Sequence, residues 1–370
     1  MARNRNIPNT IERPSTIDSR VLRIPLAVLL GAVVACQGEP TAPGSGSLQV
    51  VHLSEIDPSD GRVAYSDVWG YTDNSTGREY AIIGALSGAG TIYLVDATDP
   101  AAPAVAATIQ VPSFDFKTWG RYLYTVTGGG DGGANLGRIV DLSDPTAPAV
   151  VGAFPSSHNL TIDARGFMYL ESPGLRIFDL NGDPLQPQLI WADNGVPGHD
   201  ATVVGDRLYD FHGNGLSIYD NRVRALPQLL GSVTHPSIRY YHSGWPSFDG
   251  RFLFVTDESA RGTTADVTIW DIAQVDDPVL VSSINDLQST VHNLVIIGDL
   301  AFMSYYTAGF RVYDVTDPAH PALAFEYDTS PSIGEAWLGA FGVYPFAPSG
   351  NVYVSDIQTG LHIFSVSRGS

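Results

Sequence analysis

From residue 48 onward the chain is written in short stretches where apolar and polar residues alternate, a two-residue period that sends successive side chains to opposite faces of a β-strand. One such stretch recurs with a fixed ending: Ile92-Tyr-Leu-Val-Asp96, Arg138-Ile-Val-Asp141, Leu175-Arg-Ile-Phe-Asp179, Leu216-Ser-Ile-Tyr-Asp220, Val267-Thr-Ile-Trp-Asp271 and Phe310-Arg-Val-Tyr-Asp314. A seventh, Leu361-His-Ile-Phe-Ser365, replaces the aspartate with serine. The mean spacing is about 45 residues, the size of a four-stranded propeller blade. Proline turns such as Asp99-Pro-Ala-Ala-Pro103 and Asp317-Pro-Ala-His-Pro321 follow several of these runs. Proline fixes φ and removes a ladder donor, so each ends a strand. Glycines precede most runs (Gly90, Gly137, Gly174, Gly215, Gly309 and Gly360), as hairpins with positive φ require. No window has helical periodicity.

The third repeat illustrates the expected blade: His158–Ile162 innermost, then Phe167–Leu170, Leu175–Leu180 and an outer strand Gln188–Trp191. Laid on the C-terminus, the same template runs out of chain after three strands. Leu48-Gln-Val-Val-His-Leu53 supplies the fourth. The fold class is therefore all-β: a seven-bladed propeller over 48–370, closed by an N-terminal strand in the last blade, which leaves no open edge.

Ahead of this domain lies an arginine-bearing segment ending in an apolar stretch from Ile24 to Ala35. Twelve residues are too few for a helix to cross a bilayer, which needs about 20. A basic stretch followed by a short apolar one reads as an export signal over 1–35. Val33-Val34-Ala35-Cys36 resembles a bacterial lipobox, with Cys36 as the lipidated residue and 36–47 as a Pro/Gly/Ser tether. The expected location is the cell envelope, exported and lipid-anchored, with the membrane as one partner.

Composition removes several functions. The net charge is −19, and such an acidic surface repels phosphate backbones, which excludes a nucleic-acid partner. One cysteine forbids an internal disulfide or a CxxC pair. Lys117, the sole lysine, forms no GxxxxGK loop. There is no GxSxG elbow, HExxH or EF-hand loop. The glycine run 128–133 is followed by no helix and reads as a loop.

Four of the nine histidines are not scattered. His158, His199, His242 and His292 begin the inner strands of blades three to six, lying 21, 21, 29 and 22 residues before their repeat markers. The longer interval matches an expanded hairpin at 257–264. Asp67 and Asp115 are expected at the corresponding places of blades one and two, and the apolar Ala340-Phe341-Gly342 in blade seven. Neighbouring hairpins supply Glu171, Asp210, His212, Asp257, Glu258 and Asp356. Imidazoles and carboxylates around one channel mouth suit a single divalent metal, Zn, Mn or Ca, or another small ligand. The same repeated position also suits hydrogen bonds that fix blade-to-blade register. Trp69, Trp119, Trp245 and Trp337 lie on or near inner strands, as inter-blade core or as stacking surfaces.

The LxIxD units, Asp67-Val-Trp-Gly70, Tyr241-His242-Ser-Gly-Trp245, His292-Asn293 and Tyr306-Thr-Ala-Gly309 together resemble the choice-of-anchor B family, bacterial surface proteins built from LVIVD repeats. That resemblance implies a displayed propeller and no agreed activity. Three functions remain open: a binding module for a small molecule or an envelope protein, a metal-dependent hydrolase or lactonase with Asp257 or Glu258 as general base, and a structural scaffold.

Overall fold

The structure is a computed structural model that describes residues 47–368, apart from 87–89, 130–135, 194–197, 261–263 and 335–336. The expected leader 1–35, Cys36 and all but the last residue of the tether lie outside the described residues, as do most of the glycine run 128–133 and part of the 257–264 hairpin. No helix among the described residues is long and apolar enough to cross a membrane.

The strands form seven antiparallel sheets of four. Blades one to six occupy 65–109, 115–155, 160–192, 200–233, 241–284 and 294–327. Blade seven combines Ala340–Tyr344, Asn351–Asp356 and Gly360–Arg368 with Leu48–Ile56, which pairs along the C-terminal strand from Leu48↔Arg368 to Ile56↔Leu361. The predicted closing strand is thus present and runs three residues further than expected. In blade three the inner strand is shorter than predicted, Leu160–Ile162, and His158 lies just before it.

The recurrent aspartate has a common local cause. Asp96, Asp141, Asp179, Asp220, Asp271 and Asp314 each accept a hydrogen bond through Oδ1 from the backbone N–H two residues on, at 2.8–3.1 Å. This is an Asx turn, which ends the third strand. Ser365 escapes the requirement because its strand continues to Arg368 against Leu48–Ile56. A bulge precedes the aspartate in each of the first six blades, for example between Ile218 and Tyr219. The glycines before the runs divide into two kinds. Gly90, Gly309 and Gly360 have φ of 89°, 75° and 98°. Gly137 and Gly215 do not need positive φ, contrary to the sequence expectation. Close packing excludes a side chain there, since a Cβ would lie 2.5 Å from the Thr125 carbonyl or 2.8 Å from His212.

Closure of the ring is visible in its core. Both faces of the middle strands are apolar, and seven clusters of buried residues each join two adjacent blades. One packs Val68 and Ile83 of blade one against Tyr353 and Ile363 of blade seven. Outer strands such as Val279–Ile284 are far more open to water, with Val279, Leu280 and Ser283 exposed and Ile284 buried. The inner strands leave a central cavity of about 270 Å³.

Candidate functional site

Six aromatic side chains close a ring around one end of this cavity. Centroid separations run Phe114–His158 4.8 Å, His158–His199 4.6 Å, His199–His242 4.5 Å, His242–His292 4.5 Å, His292–Phe341 3.9 Å and Phe341–Phe114 6.2 Å. Blades two to seven contribute one ring each. Backbone register establishes the equivalence. The N–H of Phe114 donates to Val126 O as that of His199 does to Phe211 O. Likewise Ser243 N donates to Thr256 Oγ1 and Gly342 N to Ser355 Oγ. Blade one has Ser66 at this level, whose hydroxyl donates to the Ser113 carbonyl. The small serine lets Phe114 and Phe341 meet.

This corrects the placement of Asp67 and Asp115, which sit one residue later than the imidazole position. They line the same cavity but clamp Lys117, whose ammonium lies 3.1 Å from Asp67 and is also paired with Asp115. Burial acts against the Asp115 charge, yet Lys117, Asp67 and the Leu160 amide hold its pKa below the usual value. Burial, opposed by Lys117 and reinforced by Asp115, lifts Asp67 to about 7. Lys117 remains charged, with its pKa raised by the two carboxylates against burial, and its ammonium lies 4.6 Å from the Trp69 ring. Both aspartates are thus already paired with a cation of the chain itself.

The imidazoles are prepared differently. Nδ1 of His199 donates to the carbonyl of His242 at 3.1 Å, His292 Nδ1 to Phe341 O at 2.6 Å and His158 Nδ1 to Gly128 O at 2.6 Å. A proton fixed on Nδ1 leaves Nε2 as a lone pair, the arrangement common in metal-binding histidines. His242 has the His292 backbone as its counterpart, but its Nδ1 makes no close hydrogen bond. Burial, aided by neighbouring imidazoles, lowers the pKa of His199 to about 3 and takes His242 well below its ordinary value. Burial also lowers His292, with Glu258 opposing. These three rings are neutral near pH 7.

Glu258 faces them. Its Oε2 is 3.6 Å from His242 Nε2, and its Oε1 is 3.9 Å from His292 Nε2. Ligand atoms of His199, His242 and Glu258 all fall within 4.8 Å of one another. His158 adjoins His199 without entering that set. Tyr306, buried and held at φ 27°, donates its hydroxyl to Glu258 Oε1 at 2.5 Å. A non-glycine residue in that region of φ is strained, and here the strain aims a hydroxyl at the carboxylate.

The other predicted acids are elsewhere. Asp257 takes four hydrogen bonds, from the N–H groups of Arg239, Tyr240 and Ser259 and from Thr264 Oγ1 at 3.1 Å. Both of its carboxylate oxygens are occupied by these donors, two of which come from the segment before the inner strand, so it is not a free base. Asp356 plays the same part in blade seven, with Thr329, Gln358 and Thr359 as donors. Glu171 is wholly buried with neither carboxylate oxygen hydrogen-bonded, and burial raises its pKa far above the ordinary value. Asp210 is raised to about 7 by burial, with Asp193 and Asp200 adding to it. Burial lowers His212, which contacts Ser217 at 3.4 Å. Trp69 and Trp245 line the cavity farther along the inner strands and meet Phe346 there. Trp119 packs between blades two and three, and Trp337 stands more than half exposed at the cavity rim. Sequence reasoning missed Tyr306, Phe114 and Lys117. The signal for Phe114 was available: an aromatic residue before a small one recurs in Phe114-Asp115, His199-Asp200, His242-Ser243 and Phe341-Gly342.

The LVIVD repeat matches the chain at 119–155 and 290–329, most of blade two and all of blade six. No curated protein matches it. Among solved structures, the β-propeller domain of Myceliophteria thermophila Cps50 (Swd1) is similar, at 14% identity and a TM-score of 0.59. The match covers 86% of this chain and all of that domain. Similarity at that identity concerns the fold alone.

Proposed function

We propose that this protein is an LVIVD-repeat binding module of the choice-of-anchor B kind, displayed on the cell envelope and holding one divalent cation at the mouth of its channel. His199, His242 and Glu258 are the ligands, and His292 stands beside them. The carrying observation is that backbone carbonyls hold the Nδ1 protons of His199 and His292, so that Nε2 is left for a ligand beside Glu258. Two imidazoles and a carboxylate favour Zn²⁺ over Mn²⁺, and Ca²⁺ least. The cavity below, lined by Trp69 and Trp245, is sized for a small molecule. The hydrolase reading loses Asp257 as its base, and Glu258 is committed to the ion.

Zinc titration of tag-free protein tests this reading. The channel equivalent should be lost in His199→Ala/His242→Ala, while Glu258→Gln weakens it at least about tenfold. Channel zinc unaffected by all three substitutions overturns the reading. So does a double variant that unfolds in metal-free buffer, because the rings would then serve hydrogen bonding.

The envelope assignment rests on the Val33-Val34-Ala35-Cys36 pattern, and the acidic excess favours a protein or small-molecule partner over nucleic acid. Cys36→Ser should move the protein from the membrane fraction to the soluble one. Unchanged membrane partition removes the lipid anchor.

A further inference from the structure

We infer that His52, Glu55 and His362 form a second divalent-cation site, on the seam where the first and last strands close the ring. Nothing in this proposal depends on the channel site. It begins with strand phase. Residues 52 and 55 are three apart, and in a regular strand they would face opposite sides. A bulge between His52 and Ser54 inserts Leu53 as an unpaired residue and restores the phase. His52 then stands opposite Phe364 and Glu55 opposite His362, so all four side chains share one face.

The ligand atoms converge. His362 Nδ1 is 3.3 Å from His52 Nε2 and 3.7 Å from Glu55 Oε2. A tetrahedral zinc ion with bonds of about 2.0–2.1 Å holds its ligand atoms about 3.3 Å apart, so little movement is needed. A hydrogen-bond relay selects the tautomer. Thr359 Oγ1 donates to the Thr329 carbonyl at 3.0 Å and therefore accepts from His362 Nε2–H at 2.8 Å. That leaves Nδ1 of His362 as the lone pair turned toward His52 and Glu55. His52 is braced from blade six by Tyr327, at a centroid distance of 4.4 Å. His362 is buried, whereas the Glu55 side chain is 64% exposed, so an ion enters from solvent and keeps water as its fourth ligand. When loaded, His52 carries its proton on Nδ1, and the metal replaces the His52–His362 contact.

Such an ion ties Leu48–Ile56 to Gly360–Arg368, the one pairing of strands distant in sequence within a sheet among the described residues. It would act as a staple on the strand through which a pull on the N-terminus reaches the propeller.

The test uses the tag-free full chain with zinc or EDTA. Wild type should bind one equivalent beyond the channel ion, and zinc should slow amide exchange within 48–56. His52→Ala should abolish that equivalent and Glu55→Gln weaken it at least tenfold, both leaving the channel equivalent intact. Thr359→Val, which reaches the proposed ion only by way of His362, should weaken it 10–100-fold. Equal stoichiometry and affinity in wild type and His52→Ala, or exchange in 48–56 indifferent to zinc, overturns the proposal and leaves a hydrogen-bonded histidine pair. The channel reading fails separately, through the His199→Ala/His242→Ala variant.

Discussion

Two adjacent layers of the same channel solve the problem of buried polarity in opposite ways. In the aromatic layer, His199, His242 and His292 are neutral and present nitrogen lone pairs beside Glu258. One residue along the strands, Asp67 and Asp115 are already matched by Lys117. The first layer holds neutral rings beside a carboxylate with no internal cation, and the second pairs its charges with one another. On the proposed function, polar residues on an inner strand are candidate ligands only where no internal counter-charge satisfies them. That difference separates candidate ligands from structural acids better than residue type does.

The most severe way to break the contrast is to remove the internal cation. Lys117→Met leaves Asp115 charged in a buried site, and urea unfolding should show a loss of about 3–5 kcal/mol at pH 7. Replacing both aspartates with asparagine in the same variant should recover most of it. A loss below about 1 kcal/mol would mean that water, rather than Lys117, neutralises this layer.

A smaller and opposite effect is expected at Asp210, a buried acid with no such partner. Its folded-state pKa of about 7 exceeds the unfolded value near 3.9, so the folded state binds its proton more tightly. The resulting stabilisation is complete below about pH 4 and is lost as pH rises to 7. At pH 8 wild type bears the cost of a buried carboxylate. Asp210→Asn should then be more stable by about 2–4 kcal/mol, with the gap closing toward pH 4. Urea unfolding at both pH values checks this, and a pH-independent gap would contradict it.

Local chemistry made much of this molecule readable in advance. The LxIxD runs encode a strand and the Asx turn that stops it, and both are interactions within a few residues. The exception at Ser365 pointed to the same rule, since a strand that continues needs no such stop. The imidazoles of blades three to six were legible because duplication repeats their position. Asp67 and Asp115 were misplaced by one residue, because bulges after Tyr65 and Tyr241 shift the count along some inner strands and not others. Asp257 was read as a free acid, although its four donors come from three separate stretches of chain.

The sequence by itself determined the strands, the number of blades and the closing strand, since alternation, turn chemistry and period are properties of neighbouring residues. Tertiary structure alone decided which polar groups meet. Lys117 reaches Asp67 across fifty residues, and His52 reaches His362 across 310. Such encounters depend on ring closure and on bulges that reset a strand's phase. One slipped residue turns a side chain to the other face, and alternation leaves that slip unmarked.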